Sequence, residues 1–250
     1  MAENCKIYTP DNWVSILLDE IGYKSSLYGK RVLENSCGKG NILLRVVERY
    51  IEDSLCNGYT IEQIKTGLEQ DITGIEIDAK SCTICKRRLT IMAKKYGITD
   101  VKWDIRQYDA LTFKETGFSY VVGNPPYITY HDLSIEERKF LRKRFKTCKK
   151  GRFDYCYAFM EQSIKNLKYR GKMAYIVPNS ILKNVWAENL RSLLRPYLRK
   201  IIDLKNQNVF EDVTLSPIIM VVKKENKDPV PPVVYQCEDD QLSLSVNSQQ

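Results

Sequence analysis

The chain lacks the ordinary materials of a metal centre. Its single histidine, His131, cannot complete a tetrahedral site with Cys82 and Cys85, the one cysteine pair at metal-like spacing among eight scattered cysteines. A lone C-x-x-C inside a helical run reads as packing, so no metal is expected. Free thiols fit a reducing cytoplasm. The first residues, Met1-Ala2-Glu3-Asn4-Cys5-Lys6, carry no apolar signal core. No run approaches the roughly 18 apolar residues of a spanning helix, which excludes a membrane partner and leaves a soluble, cytoplasmic protein as the expectation.

A 250-residue chain with 43% hydrophobic content can bury one full-sized core and carry a small appendage. Its net charge of +8, from 39 basic and 31 acidic residues, permits a nucleic-acid partner without demanding one.

Short β-branched runs alternate with longer amphipathic ones, the pattern of β/α units around a mostly parallel sheet. Strands are expected at Arg31 to Leu33, Ile72 to Ile77, Val101 to Ile105, Tyr120 to Val122, Met173 to Val177, Lys200 to Leu204 and Ile218 to Val222. Helical spacing runs through Asn41 to Ser54, Lys80 to Tyr96, Tyr155 to Leu167 and Ala187 to Leu194.

Two segments break this rhythm. From Thr129 to Arg152 a long connection carries Arg138, Lys139, Arg142, Lys143, Arg144, Lys146, Lys149, Lys150 and Arg152, and no acidic residue interrupts it after Arg138. Such a run is either a solvated helix face or a phosphate-contacting surface. Its place directly after a candidate active site favours DNA-backbone contacts by Arg142, Lys143, Arg144, Lys146, Lys149, Lys150 and Arg152. The second break begins after Glu225: Pro229, Pro231 and Pro232 precede one more strand-like run, Val233-Val234-Tyr235, and then polar residues. A catalytic domain is therefore expected over 1–225, with a linker or the start of a truncated recognition region over 226–250.

Four pieces carry chemistry. Glu34-Asn35-Ser36-Cys37-Gly38-Lys39-Gly40 follows a strand and opens a helix, which lets backbone approach a ligand closely. A dinucleotide fingerprint places a third glycine at position 43; Leu43 stands there and disfavours a nicotinamide site. Glu76, at the tip of the second strand, is placed to accept both hydroxyls of a ribose, or is a surface acid at a strand end. Asp109 and Ala110 follow the third strand, where a carboxylate can accept from the exocyclic amine of an adenine.

The fourth piece is Asn124-Pro125-Pro126-Tyr127, at the carboxyl edge of the fourth strand, where open α/β sheets bind ligands. Two prolines fix the orientation of Asn124 and of the Pro125 carbonyl. Both oxygens can then accept from one amino group, while Tyr127 offers its ring a flat face. This is a clamp for an exocyclic amine on an aromatic base.

These motifs resemble those of the S-adenosylmethionine-dependent N6-adenine DNA methyltransferases with cofactor-first motif order, the restriction-modification type. Tyr8-Thr9-Pro10 resembles the element that precedes their first strand, Glu34 to Gly40 their first turn, and Asn124 to Tyr127 their catalytic tetrapeptide. Arg152 to Phe159, Gly171 to Pro178, Asn208-Val209-Phe210 and Ser216 to Val222 resemble their later motifs. The resemblance implies a Rossmann-like class I methyltransferase: a mostly parallel seven-stranded sheet, helices on both faces and an antiparallel final strand. It implies a cofactor site of Tyr8, Thr9, Pro10, Glu34, Ser36, Cys37, Gly38, Gly40, Glu76, Ile77, Asp109, Ala110, Asn124, Pro126 and Phe159. Tyr127 and Phe210 would stack on a flipped adenine in double-stranded DNA. Two departures stand out: Asn35-Ser36 replaces the usual Pro-Ala, and Ala110 replaces a larger apolar residue, which implies weaker cofactor affinity. The chain ends near where a target-recognition domain would begin, so a catalytic fragment, or a subunit that borrows its specificity, is expected. Enzymes that methylate RNA adenines or a protein glutamine share the tetrapeptide and remain alternatives, as does a scaffold that has kept the fold alone.

Overall fold

Each of the seven expected runs falls in or against a strand of one sheet. The computed structural model describes residues 9–204, 217–225, 231–238 and 241–244. The strands are β1 (Val32–Glu34), β2 (Ile72–Glu76), β3 (Asp104–Gln107), β4 (Phe118–Gly123), β5 (Leu167–Pro178), β6 (Leu198–Asp203), β7 (Pro217–Lys223), β8 (Val233–Glu238) and β9 (Gln241–Leu244). They lie in the order β3-β2-β1-β4-β5-β7-β6-β8-β9. The first five pair in parallel, and β7 enters antiparallel between β5 and β6. That is the expected antiparallel seventh strand. The sheet then continues past it, because β8 pairs in parallel with β6 and β9 folds back on β8.

Alternation along the strands explains the layers. In β4, Val121 opposes Tyr120 and Val122, and in β5, Met173, Tyr175 and Val177 oppose Ala174 and Ile176. Successive side chains point to opposite faces, so strands apolar in both sets need cover on both sides. On one face α1 (Asp11–Glu20), α2 (Asn41–Cys56), α3 (Ile61–Asp71) and α4 (Ala79–Lys94) bury Trp13, Leu17, Val46, Tyr50, Leu68 and Leu89. On the other, α5 (Ile135–Arg144), α6 (Tyr155–Asn166), α7 (Ser180–Lys183) and α8 (Glu188–Leu194) bury Leu141, Tyr157, Met160, Ile181 and Leu190.

Two local differences have local causes. The third strand starts three residues later than its apolar pattern suggests, since the Lys102 N–H donates to Glu69 Oε1 at 2.9 Å instead of joining the ladder. The basic break at 129–152 is not an open loop: it holds α5 between two short 3₁₀ turns.

β1 sits between β2 and β4, where the strand order reverses. A crevice at such a point lies outside the carboxyl ends of the strands and receives ligands. Every sequence-identified piece of the site that the structure describes is attached to it.

Candidate active site

The turn after β1 closes only with glycine. Gly40 has φ +82°, and a Cβ on it would lie 2.6 Å from Cys85 Sγ. Gly38 has φ +51°, yet a Cβ there would meet nothing within 4 Å, so open space lies over this part of the turn. Glu76, at the end of β2, ties two turns together: its Oε2 accepts from the Gly38 N–H at 2.9 Å and its Oε1 from the Asp78 N–H at 3.0 Å. An ionised carboxylate has about four lone-pair sites, so two backbone donors leave room for two hydroxyls. Ile77 beside it is half exposed.

The Tyr108 N–H donates to Glu76 O at 2.9 Å and brings the Asp109 turn alongside. Asp109 Oδ1 accepts from the Leu111 N–H at 2.9 Å, while Ala110 is buried. Tyr155 lies near: burial, then the charges of Asp109 and Glu137, push its phenol above its ordinary pKa. Its ring packs on Phe159 with centroids 5.3 Å apart.

β4 runs parallel to β1 with Glu34 opposite Val122, which delivers Asn124 to the edge of the first turn. Ser36 Oγ donates to the Asn124 carbonyl at 3.3 Å, and Asn124 Nδ2 donates to Thr9 Oγ1 at 3.2 Å. Asn124 Oδ1 is buried and accepts from none of the described residues. An orphaned buried acceptor costs about 1–3 kcal/mol, so this oxygen is poised for an N–H donor that the protein does not supply. Tyr127 is fixed through its hydroxyl, which donates to Ile176 O at 3.2 Å. Burial holds its pKa well above the ordinary value, so the ring stays a neutral phenol. The Tyr155 N–H donates to Ile128 O at 2.9 Å and pins the exit of the tetrapeptide.

A buried network under the turn has no counterpart in the sequence reading. Asn35 Nδ2 donates to Ser163 Oγ at 2.9 Å, the Tyr175 hydroxyl donates to Asn35 Oδ1, and Ser163 Oγ lies 2.6 Å from the Tyr175 hydroxyl. Asn35 is thus not a neutral replacement for proline but the hub joining β1, β5 and α6. The readable signal was a tyrosine in the otherwise aliphatic run Met173 to Val177. Glu34 lies beneath the same turn: burial pushes its carboxyl well above the usual range, Cys85 and Glu76 add to this, and the Leu43 N–H opposes it. Its Oε2 has no partner among the described residues.

Thr9, Pro10, Glu34, Ser36, Cys37, Gly38, Gly40, Glu76, Ile77, Asp109, Ala110 and the tetrapeptide therefore surround the carboxyl edge of β1, β2 and β4, and Phe159 reaches it through Tyr155. Tyr8 and Phe210 lie outside the described residues. The basic residues divide into two groups. Arg142 donates to Lys149 O at 3.0 Å and Gly151 O at 3.1 Å, and Arg144 to Leu111 O at 2.8 Å, so both brace the insertion. Lys143, Lys146, Lys149, Lys150 and Arg152 are exposed.

Comparison with known proteins gives a consistent picture. The family model described as Eco57I restriction-modification methylase matches residues 70–210. The type II methyltransferase M.BstVI of Geobacillus stearothermophilus is 30% identical over 238 residues, 89% of this chain and 42% of that protein. The chain thus spans about two fifths of this relative's length. Among solved structures, a Listeria monocytogenes protein assigned to the class I S-adenosylmethionine-dependent methyltransferases superposes with a TM-score of 0.64 at 17% identity, covering 94% of this chain and 67% of that one. A type I restriction-modification methyltransferase subunit from Streptococcus thermophilus gives a TM-score of 0.65 at 18% identity, covering 96% of this chain and 50% of that one. At these identities the likeness is one of fold.

Proposed function

Because the chain belongs to the Eco57I restriction-modification methylase family, we propose that it transfers a methyl group from S-adenosylmethionine to the N6 amine of an adenine flipped out of duplex DNA. The single observation that carries this reading is Asn124 Oδ1, a buried acceptor without a partner among the described residues, held at the carboxyl edge of β4 beside the first turn. The relative M.BstVI, a type II methyltransferase, supports methyl transfer in a restriction-modification setting. The catalytic unit is taken as residues 1–225, with β8 and β9 adding to the edge of its sheet and a recognition region or a specificity subunit supplying the target sequence. The setting is the cytoplasm.

The residues present fit the cofactor. Open space over Gly38, spare lone pairs on Glu76 and the carboxylate of Asp109 match the methionine end, ribose and adenine amine in turn. When bound, S-adenosylmethionine supplies an electrophilic methyl group on a sulfonium.

The chain's own residues then act on the nucleophile. An exocyclic amine is a poor one because its lone pair is delocalised into the ring. Asn124 Oδ1 and the Pro125 carbonyl accept its two N–H groups and favour a tetrahedral nitrogen, which localises the pair. These bonds strengthen as the transition state forms, where binding energy accelerates chemistry. No general base is needed, since the methylated nitrogen is strongly acidic and sheds its proton afterwards. Tyr127 offers its ring to the extruded base; one such stack returns about 1–3 kcal/mol of the few kcal/mol that flipping costs.

The test is methyl transfer from labelled S-adenosylmethionine to unmethylated duplex DNA, with transfer RNA and a release factor in parallel. Label recovered from DNA as N6-methyladenine is the expected result; label only in RNA or protein overturns the reading. Asn124→Ala should lower turnover by about 10²–10³ or more while cofactor binding survives. Glu76→Ala should weaken the cofactor first, and unchanged affinity in that variant removes its ribose role.

A further inference from the structure

One apolar patch near the site is not used by the chemistry above. Val185 and Trp186 are 69% and 44% exposed in the turn between α7 and α8. They are held out rigidly. Asn184 Oδ1 accepts from the Trp186 N–H at 2.9 Å, and Arg191 donates to the carbonyls of Asn184 at 2.7 Å and Ile181 at 3.1 Å. Two adjacent bulky apolar groups kept partly in water by fixed backbone bonds offer a surface that a partner can cover.

The surroundings say which. The indole rests directly on the backbone of Gly151, where a Cβ would lie 1.9 Å from Trp186 Cε3. It therefore sits amid the exposed cations Lys149, Lys150 and Arg152, with Lys183 on its own segment and Glu188 as the neighbouring exposed acid. Hydrogen bonds connect the patch to the tetrapeptide: Asn184 Nδ2 donates to the Tyr157 hydroxyl at 3.4 Å, and α6, which carries Tyr157, begins with the Tyr155 N–H on Ile128 O. An exposed indole among cations matches nucleic acid, which offers apolar base faces between phosphates.

We infer that the Val185–Trp186 turn is a DNA contact, its indole and valine methyls packing on bases exposed beside the target while Lys149, Lys150 and Arg152 meet the adjacent phosphates. This rests on the chain acting on DNA. It adds an apolar element to a surface otherwise recognised only by its charge.

Three tryptophans make the test direct. Trp13 and Trp103 are 1% and 8% exposed, so a soluble quencher such as acrylamide reads Trp186 first. With the full chain at low salt, a short random-sequence duplex carrying one mismatched adenine, whose base is readily extruded, should shield Trp186 from acrylamide and change its emission. Trp186→Phe should abolish that signal while binding, followed by anisotropy of labelled DNA, persists. Trp186→Ala should weaken the duplex by about five- to a hundredfold, the scale of one base–aromatic contact, with S-adenosylmethionine affinity unchanged as proof of an intact fold. Equal affinity in Trp186→Ala, absence of duplex binding, or shielding by a protein partner but not by DNA overturns the inference. Methylation of DNA with undiminished binding in Trp186→Ala removes this contact alone. Trp186-dependent binding with label only in RNA or protein removes the DNA-methylation reading alone.

Discussion

At the scale of single residues, the reactive end of the site depends on a contact between distant parts of the chain. Thr9 and Asn124 are 115 positions apart, and Thr9 Oγ1 anchors the asparagine amide by its nitrogen end, leaving Oδ1 turned away and without a partner among the described residues. Thr9 is buried, so valine keeps the volume and removes only the hydroxyl. Thr9→Val should lower single-turnover methyl transfer by about tenfold, the equivalent of roughly one hydrogen bond, with a smaller change in S-adenosylmethionine affinity and recovery in Thr9→Ser. An unchanged rate in Thr9→Val would show that Ser36 and the two prolines orient the asparagine without it. The tetrapeptide itself was legible because its chemistry is local: proline constrains its immediate neighbours. The Thr9 partnership was not, since nothing in either segment records which distant hydroxyl will arrive. Asn35 fared similarly. It reads as a departure until Tyr175 and Ser163 are seen to satisfy it.

At the scale of elements, the junction of β1 and α2 stores a pH dependence. β1 is three residues long, and Glu34 ends it beneath the first turn of α2, 3% exposed. Burial raises its pKa above the value of about 4.3 expected in an unfolded chain. A carboxyl of this kind contributes its full stability below the unfolded pKa and loses it as pH rises towards the folded one. Glu34→Gln, neutral throughout, should therefore melt at a higher temperature than the wild type near neutral pH, with the gap closing as pH falls towards about 4. A gap that stayed constant with pH would mean that Glu34 is ionised in the fold. The helices missed in sequence were missed for different reasons. α3 and α5 both begin with capping boxes, Thr60 with Gln63 and Ser134 with Glu137, and these were readable signals. Along α5 only Leu141 is buried, so no apolar stripe fixes its bounds, and in sequence its basic residues read as a solvated helix face or a phosphate-contacting surface.

At the scale of the whole molecule, charge and sheet follow different rules. The sheet was legible wherever burial is two-sided: Pro217 to Val222 is buried without interruption, as a strand with neighbours on both sides must be. Its extension was legible only in part: Val233-Val234-Tyr235 reads as strand-like, but the prolines before it and the polar residues after it look like linker, and only pairing with β6 places β8 in this sheet. In sequence the basic residues gather between Arg138 and Arg152, without saying which of them face outward. In the fold, Arg142 and Arg144 are engaged with backbone carbonyls, Arg144 while still exposed, and of the exposed cations Lys149, Lys150 and Arg152 flank Gly151, on which Trp186 rests. If these three meet phosphates, each releases counterions on binding and contributes about 0.9 to the slope of log K against log salt. Changing all three to glutamine should flatten that slope by up to about three and weaken random-sequence duplex binding, while S-adenosylmethionine affinity stays level. A slope equal to the wild type's would take Lys149, Lys150 and Arg152 out of the phosphate contact. Those three charges would then serve solubility rather than docking, because cations that release no counterions on binding are not in contact with phosphate.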